Sequence, residues 1–204
     1  HLALDEIGLY LAGKTDPAEQ MDQLYALLNR VVEQTRPGAG SLIFTPWLHG
    51  NRAPREDAHA RGMFFNIGMG TGKRQMIRAV LEGVAFHKRW ILEAMEKKIP
   101  RRERIVFVGG GAKSQVWCRI MADVLGREIA TVKHPQDIGT AGTALVCGVG
   151  LGKITSFEAA KPMIPMGERF APNHAHGAVY DRNYKVFRSL YQQNQKLFRL
   201  LNAG

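Results

Sequence analysis

The residues best suited to hold a charged ligand gather in one stretch, Arg104-Ile-Val-Phe-Val-Gly-Gly-Gly-Ala-Lys-Ser-Gln-Val-Trp117. Four apolar residues, Ile105 to Val108, read as a short buried strand, and Gly109, Gly110 and Gly111 follow at once. Ser114 then opens a segment with apolar residues at Val116, Trp117, Ile120, Met121, Val124 and Leu125, which is helical spacing. Glycine admits positive φ and lets a ligand lie against the backbone. The helix start beyond it offers free N–H groups and a partial positive charge. The chemistry of such a bend is the seating of a phosphate or a nucleotide. A turn that carries glycine only because the chain reverses sharply is the plainer alternative.

Two familiar phosphate motifs fail here. A dinucleotide fingerprint needs a third glycine where Ser114 stands, and an acid after the next strand, where Lys133-His134 stand. At Gly68-Met-Gly-Thr-Gly-Lys73, a Walker-type loop lacks its first glycine (Ile67) and the hydroxyl after the lysine (Arg74). Lys73 then reads as a solvated residue in the first turn of a helix. His174 and His176 form a His-Ala-His loop, a weak metal pattern, and no other histidines fall into ligand spacing. Cys118 and Cys147 make no Cys-x-x-Cys pair and read as buried thiols in a reducing compartment. Glu82 and Asp123 sit inside helices and read as partners of nearby arginines. Arg52 is expected to pair with Asp57. No residue is assigned a catalytic or metal-binding role.

The elements that must position the bend follow from periodicity. Asp16-Pro17 starts a helix with an apolar face at Met21, Leu24, Leu27, Leu28, Val31 and Val32, ending before Pro37-Gly38. Strands are expected at Ser41–Thr45 and Gly62–Ile67, around a loop dense in charge, proline and glycine. Thr71 reads as the cap of the longest helix, about Gly72 to Lys97, with Gly83 inside it pointing to close approach by another backbone. A strand at Glu128–Val132 precedes a small-residue helix from Gly139, whose glycines and alanines suggest tight packing, with a second phosphate-facing helix start as the alternative. Ser156 caps a short helix, residues Lys161 to Asn173 look irregular, and a last helix runs from about Ala178 to Asn202. Strand–helix alternation implies an α/β fold with a mixed, partly parallel sheet flanked by helices.

Length and charge bound the rest. The 204 residues suffice for one domain with a real core. No apolar run approaches a membrane span. The formal charge of +10 suits an anionic ligand, but the positives are dispersed and not interleaved with aromatics, so no nucleic-acid partner is expected. The chain opens on His1-Leu-Ala-Leu without a cap, as though it continued something longer.

Four stretches together resemble one family. Gly50-Asn-Arg-Ala-Pro-Arg-Glu-Asp57, Arg61 through Gly83, Gly109-Gly-Gly-Ala112 with Ser114 and Trp117, and Ile138-Gly139 to Leu145 are similar, in that order, to the C-terminal domain of the FGGY carbohydrate kinases, most of all xylulokinases. Asn66 departs from the usual glycine. The resemblance implies an actin-like, ribonuclease H-like ATPase fold over residues 1–204. It implies the adenosine side of an ATP-dependent sugar kinase, with Gly109, Gly110, Gly111, Ala112, Ser114 and Gln115 as the nucleotide-binding set. It further implies ATP or ADP as ligand, Mg2+ held by acids of a separate N-terminal domain, and a sugar held mainly there. This chain alone would then be inactive. A cytoplasmic location is expected, and a homodimer is compatible with it. A non-catalytic interaction module is the alternative.

Overall fold

The computed structural model describes the backbone of residues 17–203 and the side chains of residues 23–203. Helix α1 (Pro17–Glu33) buries Val31 and Val32 and half-buries Leu24, Leu27 and Leu28. The expected Asp16 cap and the apolar start at His1–Tyr10 lie outside the described residues. After α1 the chain turns through positive φ at Gly38, Ala39, Gly40 and Ser41. It enters β1 (Ile43–Thr45), which pairs antiparallel with β2 (Met63–Phe65), Ile43 opposite Phe65. Both strands are shorter than expected: Ser41 is spent on the turn before β1, and the positive φ of Asn66 ends β2.

Helix α2 (Lys73–Met95) crosses β1 at Gly83, where a Cβ would stand 2.1 Å from the Phe44 carbonyl oxygen. The close backbone approach expected of this glycine is present. The cap differs from expectation. Gly72 is the N-cap, its N–H donating to Gln75 Oε1 at 3.0 Å, while Thr71 Oγ1 accepts from the Gly68 N–H. Nor is α2 the longest helix, since it stops at Met95 after 23 residues whereas the last helix has 26.

The second sheet has the order β3–β4–β5. Strand β3 (Arg104–Val106) runs parallel to β4 (Glu128–Val132), with helix α3 (Gln115–Leu125) between them in sequence. β3 is an edge strand, so the expected buried run is corrected: Val106 and Val108 are exposed. Helix α4 (Ile138–Gly150) holds no buried residue, and Gly139 and Gly142 face open space, contrary to the tight packing expected. Only Gly148 is crowded, by Ile154. Cys147 on this helix is exposed, whereas Cys118 on α3 is buried and its thiol is pushed up to about 11 by that burial.

Ser156 caps helix α5 (Phe157–Ala160) by accepting from the Ala159 N–H. The stretch read as irregular contains β5 (Met166–Phe170), antiparallel to β4. Its prolines lie outside the strand, and four of its five residues are exposed, so no apolar alternation marks it. Gly167 is required there, since a Cβ would stand 2.6 Å from Thr131 Oγ1 at an irregular register.

Helix α6 (Gly177–Asn202) closes the core. Its Phe187 and Tyr191 surround Trp47 at centroid distances of 5.4 and 5.3 Å, and Phe86 and Trp90 of α2 complete the cluster. Rings offset at such distances add to the burial of their area. Among the described residues no helix is long and apolar enough to cross a membrane.

Candidate functional site

The three glycines after β3 serve different ends. Gly109 takes φ +88°, and its N–H donates to the Pro135 carbonyl at 2.7 Å, tying the bend to the segment after β4. Gly110 begins a tight turn through Lys113. A Cβ at Gly109 or Gly110 would meet nothing within 4 Å, so this side of the bend is open. Gly111 is glycine for an internal reason, because a Cβ there would stand 2.6 Å from Trp117 Cζ3 and 3.2 Å from Phe107 Cζ. Trp117 is anchored by its Nε1–H to the Leu81 carbonyl at 3.2 Å. Among the described residues, the amides of Gly110 and Gly111 have no acceptor. Buried amides are rarely left so, and partly exposed ones facing open space are free to bind a ligand oxygen.

Ser114 caps α3 as its type predicts. Its Oγ accepts from the Trp117 N–H at 3.1 Å and donates to Asn29 Oδ1 at 2.6 Å, joining the helix start to α1. The hydroxyl proton is thus engaged in structure. Gln115 projects outward, its Nε2 donating to both carboxylate oxygens of Glu168 at 3.1 and 3.0 Å.

A cleft of about 470 Å³ opens beside the bend, between the first turn of α3 and the β4–β5 pair. Ala112 and Gln115 border it, with Lys113 and Lys133 carrying positive charge and Glu168 negative charge. Its floor is apolar, from Val132, Met166 and Phe170. The structure therefore brings the six sequence-predicted residues to one corner, of which Ala112 and Gln115 line the cleft. Sequence reasoning missed Glu168 and Met166, because β5 went unrecognised. Lys133 was findable, as the first residue beyond the carboxyl end of a parallel strand, where ligands of open α/β sheets collect.

The other polar residues have structural employment. Glu82 Oε1 accepts from Arg78 Nε at 2.6 Å, from the Gly38 N–H at 3.0 Å and from the Tyr180 hydroxyl at 3.0 Å, so the expected arginine partner is present. Burial pushes the Glu82 carboxyl up, against the pull of Arg78. Asp123 differs from expectation. It accepts from the Asn173 N–H and pairs with His176 Nδ1, both at 2.7 Å, rather than meeting an arginine. The Arg52–Asp57 pair is likewise replaced. Asp57 accepts from the His59 N–H and the Tyr191 hydroxyl, while Arg52 is exposed. Among the described residues, no group of three or more His, Cys, Asp or Glu is placed to hold a metal ion. Asn66 takes φ +72°, which explains why glycine suits its position and asparagine is accepted there.

Comparison with known proteins places this geometry. The model of the FGGY family of carbohydrate kinases, C-terminal domain, matches residues 9–151. Xylulose kinase of Staphylococcus epidermidis is 32% identical over 164 residues, covering 80% of this chain and 33% of that protein. Gluconokinase of Bacillus licheniformis is 34% identical over 167 residues, covering 81% and 32%. The crystal structure of ligand-bound xylulose kinase from Lactobacillus acidophilus superposes with a TM-score of 0.75 at 26% identity, covering 83% of this chain and 34% of that one. This chain thus spans about a third of the length of the relatives it matches. The α/β, actin-like architecture expected from the sequence is the one it shares with these sugar kinases. The chain belongs to the FGGY family of carbohydrate kinases and carries that family's C-terminal domain.

Proposed function

We propose that this chain is the nucleotide-holding part of an ATP-dependent, cytoplasmic sugar kinase acting on a hydroxyl of a xylulose-like pentulose. One observation carries the reading: in a chain of this family, the amides of Gly110 and Gly111 have no acceptor among the described residues, Gly110 is exposed, and both lie beside a cleft with two ammonium groups. Amide donors and lysines suit phosphate oxygens, and an apolar floor suits a base. The residues therefore fit ATP or ADP. They do not fit Mg2+, for want of an acid cluster among the described residues.

Phosphoryl transfer relies mostly on positioning and charge stabilisation around the transferred group. In this reading Gly109 aims the bend, Gly110 and Gly111 donate to the nucleotide, Ala112 and Gln115 border its base, and Ser114 holds the helix start in place. The aspartate base, the metal ligands and the sugar contacts belong to a separate N-terminal domain, and residues 1–204 form the C-terminal one. The relatives include both xylulose kinases and gluconokinases, which accords with sugar choice lying outside this domain. A non-catalytic module, which Asn66 in place of glycine and the absence of the sugar-binding half would suit, is the alternative; Asn66 keeps the positive φ that glycine adopts readily, so that substitution alone does not favour it.

Calorimetric titration with ADP tests the proposal. Binding is expected. Gly110→Ala should weaken it about tenfold or more at unchanged melting temperature, since the new methyl enters the open space and touches no protein atom. Gly111→Ala should instead lower the melting temperature, because its methyl collides with Trp117. Absence of ADP binding to the unmodified chain, or equal binding by the Gly110→Ala variant, overturns the reading.

A further inference from the structure

We infer that Glu168 is a positioning residue that makes the cleft selective for a nucleotide base bearing an exocyclic amine. The inference rests on the nucleotide reading above and goes beyond it by naming the device that chooses the base. A carboxamide is ambivalent: one end accepts hydrogen bonds and the other donates, and a free side chain can present either. Gln115 is not free. Its Nε2 lies 3.1 and 3.0 Å from the two oxygens of Glu168, so the donating end is turned to the carboxylate and Oε1 faces away from it. The neighbour at Oε1 is Arg119 Nη2 at 3.4 Å, the long end of a hydrogen bond, and this guanidinium also pairs with Glu33 at 3.0 Å.

Glu168 is itself held. Its N–H donates to Thr131 Oγ1 at 3.0 Å, and Thr131 Oγ1 donates to its carbonyl at 3.3 Å. The close passage of Gly167 over β4 sets where the Glu168 side chain leaves the strand. The cleft wall therefore offers acceptors, Gln115 Oε1 and the outer lone pairs of Glu168, while Lys113 and Lys133 offer positive charge in the same cleft. The complementary ligand pairs an amine-bearing heterocycle with anionic groups. An adenine nucleotide has that chemistry. A base with a carbonyl in place of the amine would set oxygen against oxygen.

The test compares ADP with IDP, in which the exocyclic amine becomes a carbonyl and N1 gains a proton, by calorimetry on the full chain, and purine riboside 5′-diphosphate, which lacks only the amine, should also bind more weakly than ADP. The unmodified chain is expected to prefer ADP about tenfold, the effect of one good hydrogen bond exchanged for a repulsive contact. Glu168→Gln removes the fixed polarity, since the new amide can accept from or donate to Gln115, and should bring the two ligands within about twofold. Glu168→Asp, which keeps the carboxylate, should restore part of the preference. A ligand pair bound equally by the unmodified chain overturns the inference, as does a preference that Glu168→Gln leaves intact. In both cases ADP binding persists and the nucleotide reading stands. Failure of the unmodified chain to bind either ligand overturns both.

Discussion

His87 shows at the scale of one residue how burial sets a protonation state. It lies on α2 and its Nδ1 accepts from Trp47 Nε1 at 3.4 Å. Burial, and then the charge of Lys88, push its pKa from 6.5 down to about 4. Between those two values the unfolded chain binds a proton that the folded chain refuses. Stability should therefore fall as pH drops from about 6.5 to about 4 and level off below, a loss of at most about 3 kcal/mol. His87→Gln keeps an acceptor for Trp47 and removes the titration. Urea melts across that range should show a shallower pH dependence for the variant, and an equal slope would refute the assignment. Residues of this kind are hard to read in advance, because nothing local marks a histidine that tertiary packing will cover. The glycine triplet was legible as a device but not as three separate ones. Only the position of Trp117 shows that Gly111 makes room for an indole while Gly110 leaves a gap.

At the scale of elements, a buried polar knot joins α2, the turn after α1 and α6. Arg78 donates through Nη1 to the Val32 and Thr35 carbonyls, each at 2.8 Å, and through Nη2 to the Tyr180 hydroxyl at 2.8 Å, besides its pair with Glu82. Removing one member strands the others in low dielectric. Arg78→Met should cost about 3–5 kcal/mol, the penalty for an uncompensated buried charge. Arg78→Met combined with Glu82→Leu should cost less than the sum of the single changes by more than about 1 kcal/mol, measured by denaturation in a double-mutant cycle. Simple additivity would show that the two side chains act separately. The helices that meet here were plain in the sequence, since long apolar periods are local signals, whereas the cap expected at Thr71 falls on Gly72. The failures share one cause. β3 and β5 are edge strands with exposed side chains, so neither the predicted burial of one nor any alternation in the other was there to read. Small residues in α4 suggested a close neighbour, yet composition alone does not say whether that neighbour is in the same chain.

Across the whole molecule, burial is unevenly shared. α3 buries six residues, from Cys118 to Leu125, whereas α4 buries none. Local opening is easiest where few apolar contacts must break. Hydrogen exchange should therefore be on the order of a hundredfold faster in α4 than in α3 at matched intrinsic rates, and equal protection would contradict the exposed placement of α4. The α/β class was legible from the order of elements. The site was legible on its glycine side and hidden on its β5 side. The family match ends at residue 151, yet Phe187, Tyr191 and Phe198, which wrap Trp47, and Glu168 on the cleft wall all lie past that border. The recognisable motif and the unit that folds are therefore not the same piece of chain. Trimming to the homologous boundary would discard an aromatic keystone along with one wall of the cleft, so a shorter version should be sought by cutting within loops instead.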